Sequence, residues 1–271
     1  MSLGIVIKGP EGLVLAAESR ITLTASIPGA PPLHVSFDNA TKLLSFSDPN
    51  SCVGAVTYGQ ATVGKSGRTA QGFIPEFEAG LPEGRLRVEE FARQLGEFYS
   101  QQWGEVHGPE TPGSQMVFVV GGFNVDEHFG RVYIVQVPNH PEPIEQNPGP
   151  DQFGITWGGQ REIIDRIIQG IDSQLAQALP GALGLNPQQA QTFNQLIASA
   201  SFPIPIGILP LQDCVDLAIL FIRTTIDAQK LGVVLRGVGG PIDVATITRR
   251  EGMKFVQRKK IKGEDGESYV P

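Results

Sequence analysis

The order of apolar runs along the chain predicts an α+β fold built from antiparallel sheets, with helices segregated onto their outer faces. Strand-like runs come in consecutive pairs around short breaker-rich turns, as in LGIVIK, GPEG, LVLAA, the signature of a hairpin. Helical periodicities are bunched in the middle of the chain instead of alternating with single strands, and the closing segments IDVATIT and MKFVQ return to strand patterning. Strand-helix-strand alternation would have called for a parallel sheet, whereas paired strands call for antiparallel sheets with helices laid against them.

Element by element, the opening hairpin is followed by a Pro-rich stretch, PGAPPLH, read as a long loop, and then by the strand-like runs KLLSF and CVGAVTY. Gly59 to Gly84 is rich in breakers and poor in periodicity. In VEEFARQLGEFYSQQW, the residues Val88, Phe91, Ala92, Leu95, Phe98 and Tyr99 recur at helical spacing, which predicts an amphipathic helix. MVFVVGG and GRVYIVQV are the next strand pair, split by FNVDEHF. From Gln160 to Leu179, Ile163, Ile164, Ile167, Ile168, Ile171 and Leu175 share one stripe and predict a single helix. Pro187 to Ala200 reads as a smaller helix within a segment, 180–210, that looks like an insertion between Pro/Gly-rich flanks. LQDCVDLAILFIRTTIDAQ is a third long helix, apolar enough to be buried. With no solenoid-period repeat and no long polar linker, residues 1–271 are expected to form one domain.

Bulk properties narrow the function classes. The net charge of −7 disfavours a phosphate-backbone partner, so no nucleic acid is expected. Arg249, Arg250, Arg258, Lys259, Lys260 and Lys262 form the one basic cluster, read as a solvated face. No stretch approaches the ~20 apolar residues of a membrane span, and Lys8, Glu11 and Glu18 interrupt any signal-like start. The expectation is a cytoplasmic protein with no membrane association. Cys52 and Cys214 lack ligand spacing and read as buried free thiols, and four scattered histidines make no constellation, so neither a metal nor a cofactor is expected.

One formal motif competes for attention. Gly59 to Ser66, GQATVGKS, matches the phosphate-binding loop pattern, in which backbone amides, a lysine and a serine hold phosphates and magnesium. That chemistry needs a helix directly after the loop. The following GRTAQGFIPEFEAG, with Gly67, Gly72, Pro75 and Gly80, does not supply one, so a glycine-rich turn is the expected reading and a nucleotide-binding protein the least favoured.

The hairpin and its sequel are more specific. SLGIVIKGPEGLVLAAESR resembles the start of a proteasome β-subunit, where a terminal threonine nucleophile opens a β-hairpin ending in an Ala-Ala-Asp-Ser-Arg-type sequence. In one ungapped register the family's threonine falls on Ser2, its turn glycine on Gly12, its acid on Glu18 and its arginine on Arg20. Lys42 in DNATKLLSF matches the catalytic lysine, and Gly59 in VGAVTYGQA the oxyanion glycine. The central strands, the helix from Gln160 and VGGPIDVATITRREG extend the likeness over nearly the whole chain, and the VGGPID wording is similar to the Anbu-type bacterial relatives.

The resemblance implies a four-layer αββα sandwich and an N-terminal nucleophile peptidase or amidase, acting on peptides or unfolded protein within a homo-oligomeric ring or spiral. It leaves open whether an AAA+ ATPase feeds the assembly. In such an enzyme the side chain of the first residue attacks an amide carbonyl while its own α-amine, with a pKa near ~8, takes the proton. Removal of Met1 would expose Ser2; Lys42 would lower the hydroxyl's pKa, Glu18 would hold Lys42, and the Gly59 amide would bind the oxyanion. Four departures stand out: Ser2 for threonine, Glu18 for aspartate, Leu235 and Val238 where the family has an acid and a serine, and only Thr156 to offer for the serine before the third helix. The alternative they support is a proteasome-like scaffold that has lost catalysis.

Overall fold

The computed structural model describes residues 2–25, 29, 31–64, 67–105, 115–149, 151–264 and 268–269. β1 (Leu3–Lys8) and β2 (Leu13–Glu18) form the expected hairpin, every residue of both buried. Its turn closes with Gly9 N–H donating to Gly12 O at 3.0 Å. A Cβ on Gly12 would lie 2.8 Å from Ile247 O, so glycine is what lets the turn approach the neighbouring strand. The segment read as a Pro-rich loop is a second hairpin, β3 (Ile21–Ala25) with β4 (Leu33–Phe37). Leu33 and Phe37 stay exposed, so no core-facing alternation betrayed it.

β5 (Leu43–Ser45) and β6 (Val53–Gly59) follow, then a two-stranded ribbon of β7 (Thr62–Val63) and β8 (Arg68–Thr69). A short α1 (Ile74–Ala79) precedes α2 (Val88–Gly104), whose first amide is held by Asn124 Oδ1 at 2.9 Å. β9 (Met116–Gly122) and β10 (Arg131–Val137) are the expected pair. Two further strands of the main sheets were not foreseen: β11 (His140–Gln146), an edge strand carrying Pro141 and Pro143, and β12 (Gly154–Gly159).

The single helix expected from Gln160 to Leu179 is two, α3 (Glu162–Ile168) and α4 (Ser173–Ala182). Gly170, at φ +76°, breaks the rod, and the Asp172 carboxylate caps α4 by accepting from the amides of Gln174 and Leu175, both at 3.0 Å. The stripe is cut with it: Ile164 is buried and Leu175 is half exposed. α5 (Pro187–Ala200) starts with a capping box between Asn186 and Gln189, and α6 (Leu211–Leu231) is the long apolar helix. β13 (Ile242–Thr248) and β14 (Gly252–Gln257) close the larger architecture, followed by the small pair β15 (Ile261–Lys262) and β16 (Ser268–Tyr269).

Two five-stranded antiparallel sheets result, ordered β12-β1-β2-β13-β14 and β11-β10-β9-β6-β5. Their facing surfaces share Val6, Leu13 and Leu15 from the first with Val56, Val119 and Val132 from the second. Outside the first sheet, α6 packs Cys214, Ala218, Phe221 and Ile222 onto Ile5, Ile7 and Val14, with Ile164 of α3 alongside. Outside the second, α2 lays Phe91, Leu95, Tyr99 and Trp103 over Phe118, Val120 and Val135. At about 1.5–3 kcal/mol for each large apolar side chain fully buried, these three layers of contact are the main stabilising term. The architecture is α+β in four layers, helix-sheet-sheet-helix, as expected.

Both cysteines are buried and free. The basic cluster is not uniformly solvated: Lys259 is largely covered, its amide 2.7 Å from Asp243 Oδ1 and its ammonium paired with the same carboxylate. A buried carboxylate on β13 needs a cation, which the sequence run alone did not disclose.

Candidate active site

Strand pairing brings the candidate residues together. Ser2 stands just before β1, Glu18 ends β2, Lys42 immediately precedes β5, and Gly59 ends β6. Thr57 N–H donates to Lys42 O at 2.9 Å, fixing the lysine's main chain beside β6. Ser2, Lys42, Thr57 and Gly59 line one cleft, with Tyr58, Gln60 and Thr69 around its rim.

Lys42 is the hub. Its Nζ donates to Ser2 Oγ at 3.0 Å, to Glu18 Oε1 and to the main-chain carbonyl of Arg20. Three acceptors match the three protons of an ammonium. Glu18, 1% exposed, meets only donors: Leu3 N–H at 3.2 Å and Lys42 on Oε1, Arg20 N–H at 2.7 Å and Gly239 N–H at 3.0 Å on Oε2. Burial pushes the Glu18 carboxyl above its ordinary range, against the pull of Lys42 and the two amides on Oε2; burial likewise lowers Lys42, against the attraction of Glu18. With four donors around the carboxylate and three acceptors around the amine, the proton resides on Lys42. An ammonium with all its protons engaged has no lone pair, so Lys42 in this state cannot act as a base toward the Ser2 hydroxyl.

Gly59 adopts φ +90°, and a Cβ there would fall on Gln115 O. Gln60 N–H donates to that same carbonyl at 2.8 Å, so the chain turns sharply as it leaves β6 beside the Ser2 hydroxyl. Tyr58, also on the rim, is pushed up to about 12 by burial and remains a neutral phenol.

The main chain of Ser2 is anchored by residues that the sequence did not single out. Gln160 N–H donates to Ser2 O at 2.7 Å, and Gly159, at φ +96°, is needed because a Cβ would fall on that oxygen. Gln229 of α6 links Gln160 to the far loop: its Nε2 donates to Gln160 Oε1, and its Oε1 accepts from Val238 N–H at 2.9 Å. A signal existed, since Gln229 continues the inward stripe of Ala218, Ile222 and Thr225, and a polar group on a buried face demands partners. Val238 is buried, Leu235 is largely exposed, and Thr156 faces Val6 in the ladder, away from the end that holds Ser2.

The rival phosphate loop finds no helix directly after it. Its flanks close the β7–β8 ribbon, with Thr62 opposite Thr69 and Val63 opposite Arg68; Lys65 and Ser66 lie outside the described residues. Among the described residues no cluster of His, Cys, Asp and Glu could hold a metal, and no helix is long and apolar enough to cross a membrane.

Two antiparallel sheets packed face to face between helices make a proteasome-like fold, with a serine, a lysine and a carboxylate meeting at the head of the first strand. Within that class the solved structures it is similar to include Anbu proteins. One is the Gly-1 mutant of Anbu from Hyphomicrobium sp. strain MC1, with 14% identity, 97% of this chain and 88% of that one covered, and a TM-score of 0.52. Another is the Anbu complex from Pseudomonas aeruginosa, described as a helical assembly, with 15% identity, coverage of 99% and 86%, and a TM-score of 0.56. No protein-family model and no curated protein matches the sequence.

Proposed function

We propose that the chain is a single-domain N-terminal nucleophile hydrolase that cleaves amide bonds through Ser2 once Met1 has been removed. The observation that carries this reading is the 3.0 Å hydrogen bond from a buried, fully engaged ammonium, Lys42, to the Ser2 hydroxyl. The hydroxyl attacks the substrate carbonyl as the Ser2 α-amine takes its proton, while Lys42 stabilises the developing alkoxide. The Gly59 amide faces the oxyanion of the tetrahedral intermediate. Its collapse breaks the C–N bond, the leaving amine takes the proton from the α-ammonium, and an acyl ester on Ser2 remains. Water, deprotonated by the same α-amine, then releases the acid and restores the hydroxyl.

Substrates in this reading are peptides or unfolded segments, and the working form is a homo-oligomer. Support for assembly comes from the helical assembly of Pseudomonas aeruginosa Anbu and from apolar side chains left exposed on α5 and α6, among them Leu196, Leu220 and Leu231. A second reading, the inactive scaffold, is favoured by Val238 and Leu235, which cannot supply the acid and hydroxyl that the resembled family carries there.

Intact-mass measurement followed by peptide hydrolysis separates the two. The expected result is loss of Met1 and an activity that Ser2→Ala abolishes. Retained Met1, or a free Ser2 with no hydrolysis across a broad peptide library, would overturn the enzyme reading in favour of the scaffold.

A further inference from the structure

Behind Glu18, on the side away from the Ser2 hydroxyl, lies a cavity of about 230 Å3 that the proposed reaction does not use. It is lined by Arg20, Asp38, Arg223, Lys230 and Arg236, with Gly239 and Gly240 as its floor. Arg223, Ile226 and Lys230 fall at i, i+3 and i+7 on α6 and so present one face of that helix to it. Arg20 comes from the junction of β2 and β3, and Arg236 from the loop after α6. We infer that this cavity is a binding site for a small polyvalent oxyanion, a ligand carrying phosphate or carboxylate groups.

Charge and geometry agree. Four cations meet two carboxylates: Asp38, gripped by Arg20 through both oxygens, and Asp227, which pairs with Lys230 at 3.3 Å outside the lining. Two positive charges are left over, in a chain whose net charge is −7. No carboxylate among the described residues pairs with them: Arg223 makes no hydrogen bond or ion pair there, and Arg236 spends a single N–H on Lys230 O at 3.1 Å. Guanidinium groups present a planar fork of donors suited to oxyanions. The two glycines let Arg20 and Asp38 pack directly on this loop. A Cβ on Gly239 would lie 2.6 Å from Arg20 Cζ, and one on Gly240, at φ +74°, would fall on Asp38 O.

Calorimetric titration of the full-length protein with inorganic pyrophosphate and, separately, with citrate tests the site, at constant ionic strength with sodium chloride as the matched injection. This readout is independent of hydrolysis, so it stands or falls apart from the Ser2 reading. Saturable one-to-one binding of either anion is expected, weakened at least about tenfold by Arg223→Ala with Arg236→Ala, since two charge-assisted contacts are lost. Binding of one anion and not the other identifies which group the site takes. Arg223→Ala alone, which removes no hydrogen bond or ion pair among the described residues, should weaken binding in the same direction. Arg249→Ala with Arg250→Ala, at the opposite end of β13, removes equal charge and should leave binding intact. Absence of saturable binding, or equal weakening by both double variants, would overturn the inference.

Discussion

Replacing Lys42 by methionine keeps most of the stem and removes only the charge, so the effect on Glu18 can be worked through. The carboxylate, 1% exposed, would keep its amide donors from Leu3, Arg20 and Gly239 and lose its cation. Stripping one partner from a buried ion pair costs about 3–5 kcal/mol. At about 2–4 °C per kcal/mol for chains somewhat shorter than this one, the melting temperature should fall by about 6–20 °C. The sign of the pH dependence follows from burial, which already pushes Glu18 upward and would do so unopposed by Lys42. A carboxyl whose folded pKa lies above its unfolded value favours the folded state below the unfolded value and loses that contribution as pH rises through the folded one. The deficit of Lys42→Met should therefore be smaller at pH 5 than at pH 8. Adding Glu18→Gln removes the orphaned charge and should recover at least half of the lost stability, a coupling that thermal and denaturant unfolding of all four forms would measure. A Lys42→Met protein that melts with the wild type, or a double variant as unstable as the sum of the singles, would refute the account of an ammonium-carboxylate pair.

Two further substitutions probe the backbone of the site. Gly59→Ala imposes a side chain on φ +90° and on Gln115 O, and should destabilise by more than the about 1–2 kcal/mol of the left-handed conformation alone; Gly84→Ala, at φ +93° with nothing within 4 Å, supplies that lower figure in the same denaturation series. Under the proposed mechanism, Gly59→Ala should also reduce hydrolysis by displacing the amide, by up to the about 10²–10³-fold that loss of an oxyanion donor costs. Gln229→Leu removes the acceptor of Val238 N–H and one donor to Gln160 Oε1, and should cost about 1–3 kcal/mol, read by denaturant unfolding. Gln229→Glu keeps an acceptor for Val238 but buries a carboxylate where the amide donated to Gln160, and should cost at least as much.

What could be read from the chain divides along physical lines. The first hairpin was legible because both strands are fully buried, so each residue had to be apolar or satisfied, and because the turn needed its glycines. Ser2, Glu18 and Lys42 were legible as a set only through the resemblance to the start of a proteasome β-subunit, and the structure brings their side chains to one point. β4 and β11 escaped because each has a solvated face or edge, where proline and polar residues cost little. The false continuity from Gln160 to Leu179 arose because periodicity counts apolar residues without asking whether a glycine between them takes a positive φ. Gln160 escaped for a deeper reason: its amide matters through Ser2 O at the far end of the chain, which no local pattern encodes, whereas Gln229 was marked only by its place on the buried stripe of α6.

That distance also sets an order of events. Glu18 Oε2 takes the amide of Gly239, 221 residues further along the chain, and Ser2 O takes that of Gln160. During synthesis, which runs from the amino end, the serine and its lysine exist long before the loop that completes their support. The meeting of Ser2, Glu18 and Lys42 is thus one of the last arrangements to gain its full support, because Gln160 and Gly239 must both have emerged first.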